Sequence, residues 1–224
     1  MQPPFESIEE MAAFYVDGIR TVQPAGPYLL GGHSLGGRVA FEMARQLEHS
    51  GARVACLAVL DVPAPGMDVG TGAPIDDETA LAHIAAQIEQ HYGVDLQLSA
   101  RPLDSASATS ASRDLRARLS DAHLITPGAG AEQVEALIRV YRANLAAVAQ
   151  YRPPVTSVDL EVFVSTALRA MYPDDPALGW AGATTGRVTI HAIDGDHFSM
   201  LADPGVVGFA DLLSASLDAA TEGY

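Results

Sequence analysis

Apolar positions recur along the chain in two rhythms, and the alternation between them sets out the architecture. Ile8, Met11, Ala12, Tyr15 and Ile19 fall on one stripe at helical spacing. Ser7, with Glu10 three residues later, reads as an N-cap and capping box opening that helix. It runs to about Val22, where Pro24-Ala25-Gly26-Pro27 breaks it. Tyr28 to Leu30 reads as a short buried strand. The segment from Arg38 to Leu47 reads as a second helix, with Val39, Met43 and Leu47 four residues apart and His49-Ser50-Gly51 closing it. Val54 to Leu60 is a near-continuous apolar run, the pattern of a parallel strand covered on both faces, and it stops at Asp61 ahead of Pro63 and Pro65.

Between about Met67 and Tyr151 the strand rhythm disappears. Helices are predicted from Asp77 to about His91, near Arg113 to Ala122, and from about Glu132 to Gln150, with a turn-rich stretch from Gly93 to Ser112. The last of these helices carries Val134, Leu137, Ile138, Tyr141, Leu145 and Val148 on one side. Strands return at Val158–Ser165 and Arg187–Ile193. A turn at Pro173-Asp174-Asp175-Pro176 lies between them, and a final helix from about Val206 to Ala219 carries Phe209, Leu212, Leu213 and Leu217. The expectation is an α/β fold: a mainly parallel sheet flanked by helices, residues 1–224 forming a single domain with a helical insertion at about 67–151. Insertions of that size in such domains form lids or binding walls.

The chemistry concentrates at Gly31-Gly32-His33-Ser34-Leu35-Gly36-Gly37, a Gly-x-Ser-x-Gly turn between the first strand and the second helix. A serine on so sharp a strand-to-helix turn needs small neighbours, which assigns close packing to Gly32 and Gly36. The turn raises the Ser34 hydroxyl above the sheet and leaves the Leu35 N–H at a helix N-terminus, aimed at an oxyanion. This is the nucleophile elbow of α/β-hydrolases. A phosphate cradle or dinucleotide fingerprint is the rival reading. Gly32, Ser34 and Gly37 occupy the three glycine positions of that motif, so its middle glycine is missing, although Asp61 supplies an acid at the end of the next strand. What decides between them is an acid and a histidine further on. Asp61 ends the adjacent strand, and His197 follows the last strand in Asp194-Gly195-Asp196-His197-Phe198. Asp174 or Asp175 is the alternative acid. His191 in mid-strand and His33 at the variable elbow position reach the crevice less naturally, and His83, His91 and His123 lack metal-ligand spacing. With Ser34 as nucleophile, His197 as base and Asp61 orienting it, the expected chemistry is acyl transfer.

Composition narrows the alternatives. With 224 residues and 48% apolar content the chain builds a substantial core. A net charge of −15 argues against a nucleic-acid partner. All 13 basic residues are arginine, so P-loop, Schiff-base and Ser-x-x-Lys chemistry are excluded. The single cysteine, Cys56, allows no intramolecular disulfide or Cys-rich zinc site and reads as a buried filler. From that single cysteine a reducing, cytoplasmic setting is expected; no apolar run approaches a membrane span and no basic-plus-apolar leader opens the chain, and the expectation is of no metal and no cofactor bound by the domain.

Pro27 to Gly37, followed by Val39-Ala40-Phe41-Glu42-Met43-Ala44-Arg45-Gln46-Leu47, resembles the C-terminal thioesterase domains of non-ribosomal peptide synthetases and modular polyketide synthases. Leu60 to Pro65 is similar to that family's acid loop and Gly195 to Leu201 to its histidine loop. The resemblance implies an acyl, peptidyl or polyketide chain carried as a thioester on the phosphopantetheine of a carrier protein, released by hydrolysis or macrocyclisation. A general serine esterase or lipase, and a non-catalytic binding module on the same fold, are the alternatives. Members of the family carry further strands and a helix before the position where this chain begins, and a loop there supplies a second oxyanion N–H. The expectation is that those elements are missing from this chain or supplied by another segment, leaving the elbow strand at a sheet edge. Because carrier proteins are usually acidic, docking is expected to rely on local arginines such as Arg139 and Arg142.

Overall fold

The structure, a computed structural model, describes residues 3–67, 75–97, 108–125 and 131–221. Two compact units are present, one of residues 5–70 with 147–224, to which all the described strands belong, and one of residues 1–4 with 71–146.

Among the described residues the sheet unit contains four strands, β1 (Tyr28–His33), β2 (Val54–Leu60), β3 (Leu160–Ser165) and β4 (Val188–Ile193), all parallel and in the order β1-β2-β3-β4. Register pairs His33 with Leu60, Leu60 with Phe163, and Ser165 with Ile193. The four carboxyl ends therefore line one edge of the sheet, where open α/β sheets place their ligands. β1 is an edge strand, and Leu29 on it is 47% exposed.

Alternation along the strands divides the core. Leu57, Val59, Leu160, Val162 and Val164 pack with α1 (Ile8–Val22) and α2 (Leu35–His49). Ala58, Leu60, Phe163 and Ile193 face the other way, toward Phe209, Leu212 and Leu213 of the C-terminal helix Gly205–Thr221. α2 is buried on several sides. Besides Val39, Met43 and Leu47 it buries Arg38, Phe41 and Glu42. In α1 the stripe is rotated from the expected one: Val16 is buried whereas Tyr15 is 44% exposed and stacks edge-on with Phe14. Val16 lies eight residues after Ile8 and four after Ala12, so it continues the buried row; a polar-tipped tyrosine is the residue that loses least by facing water. Ser7 caps α1 by accepting from the Glu10 N–H at 3.1 Å, while the Glu10 carboxylate accepts from the Glu6 N–H rather than from Ser7.

A short helix that the apolar pattern did not signal, Thr166–Met171, follows β3 directly. The strands expected at 158–165 and 187–193 begin at Leu160 and Val188.

The helical unit contains α3 (Asp77–Tyr92), α4 (Ala108–Asp121) and the larger part of α5 (Ala131–Gln150). Half of the turn-rich stretch expected at Gly93–Ser112, residues 98–107, lies outside the described residues; α4 begins at Ala108, five residues before the expected start. Leu81, Ile84, Leu115, Leu119, Val134 and Ile138 form the core of this unit. Leu137 and Leu145, expected on the inner stripe of α5, are 41% and 37% exposed. Among the described residues no helix is long and apolar enough to cross a membrane.

Candidate active site

The elbow forms because two glycines, Gly32 and Gly37, let the chain pass close against itself. A Cβ on Gly32 would sit 2.1 Å from the Gly36 carbonyl oxygen, and one on Gly37 would meet Gly32 O and Val62 Cγ1 at 2.9 Å. Gly36 itself has open space around its missing Cβ, so it is Gly37, not Gly36, whose side-chain position must stay empty. Between them Ser34 is forced to φ 57°, ψ −128°, a conformation that costs a non-glycine residue of order 1–3 kcal/mol and clusters at functional sites. Its N–H donates to Leu60 O at 2.9 Å, pinning the elbow to β2. Ser34 stands at the N-cap of α2 without its hydroxyl capping the helix, which leaves that oxygen available for chemistry. Leu35 is the first residue of α2, at the positive end of the helix dipole.

Asp61 follows β2 at the same sheet edge, buried and at φ 50°. Its Oδ2 lies 2.9 Å from His197 Nδ1, and its Oδ1 accepts the Ser165 N–H at 2.7 Å. Burial alone would raise this carboxyl, but hydrogen bonds from His197 and Ser165 outweigh it and hold Asp61 below the ordinary carboxylate range. An ionised Asp61 makes Nδ1 the protonated nitrogen of His197 and leaves Nε2 as the acceptor. The loop behind Asp61 is held at successive residues. Trp180 Nε1 donates to Val62 O at 2.8 Å, Arg38 Nη2 donates to Pro63 O at 3.0 Å, and the Ala64 N–H donates to Leu178 O at 2.8 Å.

His197 hangs over this edge from the loop after β4. Asp196 Oδ1 accepts from the N–H groups of Phe198 and Ser199 at 3.0 and 2.9 Å, and Met200 anchors the following turn in the core. The His197 ring lies 4.3 Å, centroid to centroid, from the ring of His33, the residue bonded to Ser34. His33 thus reaches the crevice, contrary to the expectation from its place in the motif.

Residues 1–217 match the sequence profile of the Thioesterase domain family. The chain belongs to that family. Chondramide synthase cmdD of Chondromyces crocatus is 31% identical to this thioesterase domain over 91% of its length, which is 5% of the synthase. The domain therefore spans a small fraction of the curated relatives it matches. In holo-AB3403, a four-domain non-ribosomal peptide synthetase bound to AMP and glycine, the matching region has a TM-score of 0.84 and 26% identity, covering 95% of this chain and 16% of that one. A covalent complex of the NocB thioesterase domain with a fluorophosphonate nocardicin G analog gives a TM-score of 0.57 and 25% identity, covering 96% of this chain and 77% of that one. By family and fold this domain is a thioesterase of the serine-hydrolase class with the α/β-hydrolase architecture.

The other candidates of the thioesterase domain are engaged elsewhere. Asp175 accepts from the Ala177 and Gly179 N–H groups at 3.1 and 2.8 Å, closing its own turn. His191 pairs with Glu161 at 2.7 Å and stacks on Phe163, and Ser216 also donates to Glu161. Cys56 is buried; burial and the nearby Glu161 charge push its thiol up to about 11, so it is no nucleophile at neutral pH. In the helical unit Arg142 pairs with Asp77, whereas Arg139 is exposed. No group of three or more His, Cys, Asp or Glu suited to a metal occurs among the described residues.

The sequence reading missed Ser165. This fully buried residue orients Asp61 through its N–H while its hydroxyl caps Thr166–Met171 by accepting from the Leu168 N–H at 3.1 Å. A serine ending a strand before Thr166-Ala167-Leu168 is an N-cap signal, and it was legible there.

Proposed function

We propose that this domain releases an acyl, peptidyl or polyketide chain from the phosphopantetheine arm of a carrier protein through an acyl-serine intermediate. What supports the reading most directly is the hydrogen-bonded His197–Asp61 contact at the sheet edge that also carries the strained Ser34 elbow.

The residues act in sequence. His197 Nε2 takes the Ser34 proton as the oxygen attacks the thioester carbonyl, and Asp61 stabilises the resulting imidazolium. The Leu35 N–H donates to the oxyanion, a contribution on the order of 10²–10³ in kcat for one such donor. Collapse of the tetrahedral species breaks the C–S bond, and the imidazolium proton goes to the departing thiol. In the second half His197 deprotonates water, or a hydroxyl or amine within the acyl chain, which attacks the ester carbonyl; as the acyl–oxygen bond breaks, the imidazolium returns its proton to the Ser34 oxygen and the product leaves linear or cyclic. The phosphopantetheine enters as part of the substrate, and the domain supplies only side chains and a backbone N–H.

The test is intact-protein mass spectrometry after incubation with an acyl-pantetheine thioester, comparing the parent with Ser34→Ala. An acyl-sized mass increase on the parent and none on the variant is expected. Absence of the adduct from folded parent, with no Ser34 labelling by a fluorophosphonate, would favour a non-catalytic binding module. Faster turnover of oxygen esters than of pantetheine thioesters of equal acyl length would favour a general esterase.

A further inference from the structure

We propose that His33 is a positioning residue for His197, holding the imidazole by its face while Asp61 holds it by its edge. The proposal rests on the reading of His197 as the base. A hydrogen bond at Nδ1 fixes one point of an imidazole and leaves the ring able to swing about that point. The His197 side chain is 33% exposed, on a loop, so solvent does not restrain it. Two rings do. His33 lies against one face at 4.3 Å with an interplanar angle of 32°, and Phe198 meets the ring edge-on at 5.1 Å and 81°.

The two neighbours differ in what they are attached to. Phe198 belongs to the same loop as His197 and moves with it. His33 is the last residue of β1, in register with Leu60 and bonded to Ser34, whose N–H is tied to Leu60 O. Contact with His33 therefore fixes the base relative to the nucleophile's own backbone, whereas Asp61 fixes it relative to β2. Those two references converge on a single placement of Nε2.

The test compares the parent with His33→Ala, His33→Phe and Ser34→Ala in two readouts. The first is acyl-pantetheine turnover; the second is water exchange of the low-field proton that reports the His197 Nδ1–H to Asp61 hydrogen bond by NMR. His33→Ala is expected to lower kcat about ten- to hundredfold with KM changed less than about twofold, as expected for a misplaced catalytic group. Its low-field proton should exchange faster at an unaltered thermal midpoint. His33→Phe, which keeps a ring face, should recover most of both losses. An unchanged exchange rate in folded His33→Ala overturns the proposal whatever the activity, as does a His33→Phe that fails to recover. If the parent turns over no faster than Ser34→Ala while His33→Ala still speeds exchange, the catalytic reading fails and the positioning contact stands.

Discussion

Gly32 lies so close to Gly36 that a methyl group on the first would overlap the carbonyl of the second, at 2.1 Å, while a methyl group on Gly36 would meet nothing within 4 Å. The two glycines of the motif are therefore unequal. Gly32→Ala clashes with backbone that cannot move without opening the elbow, and should cost more than about 4 kcal/mol or prevent folding. Gly36→Ala should leave stability within about 1 kcal/mol of the parent, since alanine favours the helix it enters. Thermal and denaturant unfolding of the two variants, side by side, checks the asymmetry.

Asp61→Asn separates geometry from charge. The amide is nearly isosteric and can still accept the Ser165 N–H, but it no longer dictates that Nδ1 of His197 carries the proton. The expected result is a folded protein whose kcat falls by about 10⁴, the loss seen when the acid of such a triad is neutralised. Steady-state kinetics with circular dichroism measures both halves. A loss below about tenfold would point to an acid elsewhere.

How much of this was readable beforehand depends on the range of the interaction. Ser34, Asp61 and His197 each follow a strand, and the carboxyl ends of parallel strands line one edge, so their common placement at that edge was legible from the strand pattern. The strand-to-strand alternation at Leu57, Ala58, Val59 and Leu60 was local in the same way. The contact between His33 and His197 spans the sheet from β1 to the loop after β4, and no periodicity encodes it. Val16 and Tyr15 are adjacent, and which one turns inward was settled by the neighbouring helix. Glu42 is fully buried on α2, and its bond from Tyr151, more than a hundred residues later, is likewise encoded by no local pattern.

Trp180 anchors the acid loop from below. Its indole N–H donates to Val62 O, its ring packs 5.1 Å from Phe41, and it is fully buried. Trp180→Phe keeps most of the packing and leaves the Val62 carbonyl buried without that donor, a loss of about 1–3 kcal/mol. Because Val62 follows Asp61 directly, kcat should fall several-fold with little change in KM. Unfolding midpoints from circular dichroism and steady-state kinetics check the two effects. An unchanged midpoint would show that the indole N–H contributes nothing to holding the loop.

Glu42 gives the domain an acid-sensitive anchor. Its carboxylate accepts from Arg45 Nη2 at 2.6 Å and Nε at 2.7 Å, from Gln46 Nε2 at 2.9 Å and from the Tyr151 hydroxyl at 2.9 Å. Burial would raise the Glu42 carboxyl, but the bonds from Arg45, Gln46 and Tyr151 outweigh it and hold it below its ordinary range. Burial and the Glu42 charge push the Tyr151 phenol far above its own range, so Tyr151 stays a donor at every working pH. The sign follows from linkage. A carboxyl lowered on folding contributes its full stability above the unfolded value of about 4.3 and loses it as pH falls through the folded value. Asp61 has the same sign. Stability of the parent should therefore fall steeply from about pH 5 downward. Glu42→Gln removes this group's share of the slope and leaves Arg45, 26% exposed, without its partner, at a cost of about 2–4 kcal/mol near neutrality. Denaturant unfolding from pH 7 to pH 3 should show the gap between parent and Glu42→Gln narrowing as the acid end is approached. A gap independent of pH would mean that Glu42 holds α2 by packing rather than by charge.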